Sequence, residues 1–451
     1  MREGARIVAG KRKPFTMIQR LAASAKVAIM SYALGVLLCG SGLVLAQPVP
    51  SDGFLLEKPT RAAAFVDSIG VNVHFDQFPY NGQRYSQIAQ LLVASGIKHA
   101  RDGLDPNSDY LARLNGLSAK GMHFDIITAL NDSDALLASF PSTLSGFETY
   151  EGPNEVNATL DPDWAPKLSA FMQRLHADVH GTPSLSHYPI IAPSLIGGAS
   201  AATALGSLAP YVDYGNMHNY FAEFNPETKG WGRMTPSGVY GSLAYNMNLA
   251  RIVGDDKPIV STENGYPSTP GGGNGALDYV TDGKYIPRLL FTQYNAGVVR
   301  TFIYEFLDLD NSGRIYTNYG LVDTSLQPKP AYRAVQAMIA DLRDTNGGAF
   351  APTPLRYKLV SHSNVQHTLL EKPDGSYYLA LWVGVANWVQ GQRVDARPQT
   401  VTLQTARPLA AASIMQLDDQ GYPTEHAITV AGTTAVSVPV SDQVSIVKLQ
   451  F

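Results

Sequence analysis

The stretch Glu148-Thr149-Tyr150-Glu151-Gly152-Pro153-Asn154-Glu155 decides how this chain reads. Its first half is strand-like. Gly152-Pro153 ends it, because proline has no N–H for a ladder and glycine weakens a strand interior. An amide and a carboxyl follow side by side. A second stretch of the same kind lies downstream, Pro258-Ile259-Val260-Ser261-Thr262-Glu263-Asn264-Gly265, an apolar strand that ends on a carboxylate and turns at Asn-Gly.

Between and around these two stretches, strands alternate with helices. Val66–Phe75 reads as a first strand, and Tyr85–Gly96 as a helix with Ile88, Leu91 and Leu92 on one face and a glycine stop. A strand at Ile97–Asp102, a helix at Asp109–Gly121, a strand at Met122–Leu130 and a short helix at Ser133–Phe140 precede the opening stretch, which is the fourth strand. A helix at Trp164–His180, a fifth strand at Tyr188–Ser194 and an Ala-rich helix to Leu208 follow it. The sixth strand is Val212–Tyr220, with a helix at Val239–Val253. The seventh carries Glu263 and leads through a Gly-rich loop, Pro270–Gly275, to a helix at Tyr285–Ala296. Val298–Leu307 is the eighth strand and Ala331–Leu342 the last helix. Eight such units predict an α/β fold, a (β/α)8 TIM barrel, over residues 60–346.

At Gly347–Pro354 the helical pattern stops. Short alternating runs take over at Tyr377–Val383, Gln399–Gln404, Ala427–Val430, Ala435–Val440 and Val444–Leu449, separated by turns such as Pro373-Asp374-Gly375. This predicts a C-terminal all-β sandwich domain over residues 350–451. Trp382 and Trp388 are either a sugar-binding face of that domain or part of its core.

The first 46 residues differ from the rest. They carry seven Lys/Arg and one acidic residue, and Val27–Ala46 has no charge. This is a signal peptide closing at Val44-Leu45-Ala46, or an uncleaved inner-membrane anchor through residues 27–46, since the run approaches the roughly 20 residues that span a bilayer. Either way an exported protein is expected, periplasmic or secreted. Removing these residues takes the formal charge from −4 to −10, which argues against nucleic acid as a partner. Cys39, the single cysteine, lies inside the leader, so the body forms no internal disulfide. We expect a monomer.

The chemistry follows from the barrel. Catalytic groups of (β/α)8 barrels sit at the C-terminal ends of the strands. Glu155 follows the fourth strand and Glu263 ends the seventh, from opposite sides of the ring. Cleaving a glycosidic bond with retention needs two carboxyls about 5–5.5 Å apart, one as acid/base and one as nucleophile. Glu155 would need a raised pKa and Glu263 an ionised side chain supplied with donors. Arg101 and Tyr220 are the candidates for those donors. No His or carboxylate spacing suits a metal, and the Gly271–Gly275 run lacks the Lys-Ser/Thr of a phosphate loop. No metal or cofactor is expected.

Asn154-Glu155, Thr262-Glu263-Asn264-Gly265, Gly320-Leu321-Val322-Asp323 and Lys329-Pro330-Ala331-Tyr332 resemble clan A retaining glycoside hydrolases. The Tyr-Glu-Gly-Pro-Asn-Glu stretch and Tyr304-Glu305-Phe306 are most similar to family 39 and its neighbours. The resemblance covers Phe65–Leu342. It implies an exported enzyme acting on a polysaccharide by double displacement, with Glu155 as acid/base, Glu263 as nucleophile and Asn154 on the sugar 2-hydroxyl. Family members often carry a Trp at the end of the eighth strand, where this chain has Tyr304-Glu305-Phe306.

The substrate-binding set is Asn154, Arg101, His74, His218, Tyr220, Trp231, Tyr266 and Glu305. Each has a plainer alternative: Arg101 could bridge structural acids such as Asp102, His74 and His218 could be satisfied core histidines, and Glu305 could serve its barrel neighbours. Glu151 reads as a buried structural acid. Trp164, Trp231, Tyr266 and Phe306 together suggest subsites along a cleft and endo action. Alternatives to hydrolysis are a carbohydrate-binding barrel without turnover and a transglycosylase.

Overall fold

The computed structural model describes residues 53–310, 314–344 and 348–451. The leader read at residues 1–46 lies outside the described residues. Among these residues no helix is long and apolar enough to cross a membrane.

Eight parallel strands form the barrel: Ile69–Asn72, His99–Gly103, His123–Ile127, Phe147–Glu151, Ile190–Ile191, Gly215–His218, Ile259–Asn264 and Arg300–Ile303. Neighbours pair in chain order, and the first strand also pairs with the eighth. The ring closes between the fifth and sixth strands, where the Ala192 N–H donates to the Tyr214 carbonyl. The expected first strand is shorter than its apolar run suggests, because Ala62–Asp67 is helical. Val239 likewise belongs to a small hairpin, Met234–Thr235 with Gly238–Val239, and the following helix starts at Leu243, where the Ser242 hydroxyl caps it.

The β region is a sandwich of a four-stranded and a six-stranded antiparallel-rich sheet. Two short segments that precede the first barrel strand join it. Leu55–Glu57 pairs with Leu355–Tyr357, and Thr60–Arg61 pairs with Leu370–Glu371. The central strand Tyr377–Val383 is buried at every position. Leu379, Leu381 and Val383 point into the sandwich core, whereas Tyr378, Ala380 and Trp382 join the barrel's core. A strand covered on both faces loses the alternation of a half-exposed one.

The helix Tyr279–Asn295 lies between barrel and sandwich. Phe291 stacks on Trp382. Arg288, wholly buried, donates to Glu227, Asn387 and the Val385 carbonyl. Lys284 donates to Asp395 and Asp442 at 2.7 and 3.0 Å. Both tryptophans of the β region are core residues, at 1% and 6% exposure. Deleting residues 348–451 would take both acids from buried Lys284 and would take Asn387 and the Val385 carbonyl from Arg288, leaving it Glu227 alone, a strongly destabilising change. The truncated barrel is expected in the insoluble fraction; a soluble, cooperatively melting barrel would contradict this.

At the opposite end of the barrel from the strand C-termini, buried His99 sits between Glu148 at 2.8 Å and Asp67 at 3.0 Å, with Arg300 against both acids. Burial opposes charging the imidazole, but its hydrogen bonds to Asp67 and Glu148 outweigh burial and raise its pKa. A raised folded-state pKa gives stability that is complete below the unfolded value, about 6.5, and is lost as pH rises through the folded value. The urea midpoint gap between wild type and His99→Gln is therefore expected to be widest below about pH 6.5 and to narrow as pH rises above it. A gap that grows with pH would contradict this.

Candidate active site

Residues on or just after strands one, two, four and seven converge on a single guanidinium. Arg101, 2% exposed, has five N–H donors, and protein acceptors take all five. Nε and Nη2 donate to the two oxygens of Glu151 at 2.6 and 2.8 Å. Nη1 donates to Asn72 Oδ1 at 2.7 Å and to Glu263 Oε1 at 2.8 Å. The remaining Nη2 proton goes to Asn154 Oδ1 at 2.8 Å. Glu151 is completed by Asn216 Nδ2 and the Thr262 hydroxyl, both at 3.1 Å. Burial would weaken the charge on Arg101, but Glu151 and Glu263 hold it strongly protonated.

Local backbone geometry aims the two expected catalytic acids. Glu155 adopts the left-handed conformation, φ 47° and ψ 37°, and its N–H donates to the Ser194 carbonyl at 3.1 Å. A non-glycine residue held there costs on the order of 1 kcal/mol and is typical of functional sites. Glu263 follows a register shift in the seventh strand, between Ser261 and Glu263, and such irregularities re-aim a side chain. The two motif glycines are sterically required. A Cβ on Gly152 would come within 2.7 Å of the Pro193 nitrogen, and one on Gly265 within 2.3 Å of the Tyr304 carbonyl.

An oxygen of Glu155, an oxygen of Glu263 and a ring nitrogen of His218 all lie within 4.8 Å of one another. His218 Nδ1 is 2.7 Å from Glu155 Oε1 and 3.4 Å from Glu263 Oε2, and Nε2 is 3.1 Å from Thr262 Oγ1. The Tyr220 hydroxyl donates to Glu263 Oε2 at 2.9 Å. Both expected donors to Glu263 are therefore in contact with it. Among the described residues this trio is also the group of His and carboxylate ligand atoms close enough to hold a metal ion. Its ligand atoms are already turned toward one another around His218 Nδ1.

The environment splits the two acids. Burial raises the pKa of Glu155 against the opposing pull of His218. Burial acts on Glu263 in the same sense, but His218, Arg101 and Tyr220 outweigh it and hold the carboxyl below its ordinary value. His218 is itself raised, because Glu263 and Glu155 outweigh its burial. Glu155 and His218 are thus both pushed toward holding a proton beside a Glu263 pushed toward ionisation.

The other expected site residues divide. Asn154 stands beside Glu155, and its Oδ1 accepts from Arg101 and from the Ser194 hydroxyl at 3.0 Å, so its NH2 is the free end. Arg101 has no donor left for a substrate and is a positioning residue, tied to Glu151 rather than Asp102. Asp102 instead accepts backbone N–H groups of Phe75 and Gly103. His74 is about a quarter exposed; its Nε2 lies 3.4 Å from Glu305 Oε2. Burial lowers its pKa to about 4, so it is neutral.

Glu305 is wholly buried and touches no substrate space. Its Oε2 accepts from the Tyr80 hydroxyl at 3.3 Å, its Oε1 has no partner, and burial and Asp308 raise its pKa far above the ordinary range. Tyr266 and Phe306, at 1% and 0% exposure, pack in the core and offer no face to a sugar. Trp231 stacks on Phe224, and Trp164 packs partly buried against the core. The four aromatics do not line one cleft.

Sequence analysis missed Asn72, Asn216 and Ser194, which serve the arginine cluster, and two tyrosines. Tyr304 and Tyr319 stand edge-on to each other and to Tyr220; after burial, Glu305 and then Glu263 raise the pKa of Tyr304, and Glu263 raises that of Tyr319. Tyr304 occupies the strand-eight position discussed above. Tyr319 directly precedes the Gly320–Asp323 motif, which was the available signal.

No protein-family model and no curated protein matches the chain. Solved structures do. A family 39 glycoside hydrolase from Bacteroides cellulosilyticus superposes with a TM-score of 0.60 at 14% identity, over 87% of this chain and 81% of that one. A glucosidase from Croceicoccus marinus gives 0.52 at 7% identity, over 80% and 91%. A GH30 endoxylanase from Clostridium papyrosolvens gives 0.50 at 11%, over 88% and 98%. These likenesses show the fold. What this chain does with it rests on its own side chains.

Removing one donor to Glu263 tests the electrostatics directly. Tyr220→Phe deletes the 2.9 Å hydrogen bond to Oε2. A carboxyl NMR titration is expected to show the Glu263 midpoint moving up in the variant. An unchanged or lower midpoint would contradict the assignment of Tyr220 as a stabilising donor.

Proposed function

We propose that this protein is an exported retaining glycoside hydrolase acting on a polysaccharide. The observation that carries the reading is the pair Glu155 and Glu263: carboxylate oxygens within 4.8 Å, with pKa values pushed in opposite directions. Retaining enzymes hold their carboxyls about 5–5.5 Å apart, whereas inverting ones leave room for a water at about 6.5–9.5 Å. The likeness in fold to glycoside hydrolases supports the same reading, and the basic, then uncharged, leader supports export.

In the first step Glu155 gives its proton to the glycosidic oxygen while ionised Glu263 attacks the anomeric carbon, and the leaving sugar departs. In the second step Glu155, now a carboxylate, takes a proton from water as the water attacks and frees Glu263. Arg101 and Tyr220 fix the Glu263 oxygens before the reaction, so little reorganisation is needed when charge moves. The Asn154 NH2 is oriented toward the sugar because its oxygen is engaged.

Three outcomes test this. Glu263→Ala should lower hydrolysis of any glycan that the wild type cleaves by about 10³-fold or more. The pH profile should fall on the alkaline side as Glu155 loses its proton, and on the acid side as Glu263 gains one. Glu155→Gln should lose the alkaline limb on substrates whose leaving group needs no protonation. A glycan panel on which wild type and Glu263→Ala behave alike would overturn the catalytic reading, and binding without cleavage would favour a carbohydrate-binding protein.

A further inference from the structure

Resting on the glycosidase reading, we propose that the sugar held at the Glu155–Glu263 pair is uncharged, a neutral hexose- or pentose-type unit rather than a uronate. A sugar carboxylate bound beside an ionised carboxylate needs a cation with donors to spare, best a bidentate arginine. The basic groups at this site have none. All five N–H groups of Arg101 are taken by Glu151, Asn72, Asn154 and Glu263. His218 is held by Glu155 and Thr262. Lys329, the cation nearest Glu305 in electrostatic effect, is 2% exposed, with Asp308 and Ser268 around its ammonium.

Among the described residues, the remaining groups around the pair named here are uncharged or acidic. Tyr220, Tyr304 and Tyr319 form an edge-to-face cluster beside Glu263. The Asn154 NH2 and His74 Nδ1 make no hydrogen bond to a described residue, so both are free for sugar hydroxyls. Behind His74 lies Glu305, a buried acid with an unpartnered oxygen, and ionising it next to a second anion would be more costly still. Hydroxyls suit such a lining, because they accept from the amide and donate to carboxylates at no cost in charge.

The test uses wild-type protein and oligosaccharide pairs of several linkages that differ only at C6. One member carries uronates, and the other is the same fragment after carboxyl reduction. Products are labelled at their new reducing ends and sequenced by mass spectrometry. The unit at each new reducing end is expected to be neutral, and a uronate there should lower kcat/KM by at least about 100-fold through repulsion at close range. Pairs cut equally well, or better in the acid form, with a uronate at the new end, would overturn the inference and leave the glycosidase reading standing. No cleavage of either member of any pair or of any other glycan would instead overturn the glycosidase reading on which the inference rests.

Discussion

One guanidinium holds the centre of this molecule together. Arg101 ties the end of the second barrel strand to Asn72 on the first, Glu151 and Asn154 on and after the fourth, and Glu263 on the seventh. An arginine can do this because its donors lie in one rigid plane and it stays charged when buried. The arrangement is not a source of net stability. Burying charges costs several kcal/mol per ion, and only full hydrogen bonding offsets it. What the cluster supplies is position: Glu263 cannot move without breaking a charge-assisted hydrogen bond.

From that constraint the rest of the site follows. With Glu263 fixed and ionised, burial acts on Glu155 without an equal counterweight, and the two acids separate electrostatically. His218 sits between them, 2.7 Å from Glu155 Oε1 and 3.4 Å from Glu263 Oε2. Asp125, behind Glu151, is raised by burial and then by Glu151. The barrel therefore presents two carboxyls with oxygens within 4.8 Å and pKa values pushed in opposite directions.

Much of this was legible in the sequence. Eight strand–helix units could be read because each helix ends on a recognisable stop and each strand is a short apolar run. Glu155 and Glu263 could be found because each lies at a strand end beside turn residues, Gly152-Pro153 before the one and Asn264-Gly265 after the other. The donors Arg101 and Tyr220 were legible as polar residues at strand ends. What was not legible depended on partners distant in sequence. Glu305 has the strand-end position of a ligand-contacting residue, yet Tyr80 and His74 enclose it. Tyr266 lies just past the turn after Glu263, but its ring packs on Tyr285. Asn72 and Asn216 look like ordinary strand amides until Arg101 and Glu151 are placed beside them. The strands at Leu55–Glu57 and Thr60–Arg61 were hidden because a β-edge formed with residues some 300 positions away leaves no local pattern.

The central claim is the spacing of the two carboxyls, and the most direct measurement of it is the anomeric configuration of the first product formed. Proton NMR of a freshly cleaved oligosaccharide, recorded before mutarotation, reports it. The account predicts that the configuration of the cleaved bond is kept. A first product of inverted configuration would mean that water, not Glu263, attacks the sugar, and would contradict it.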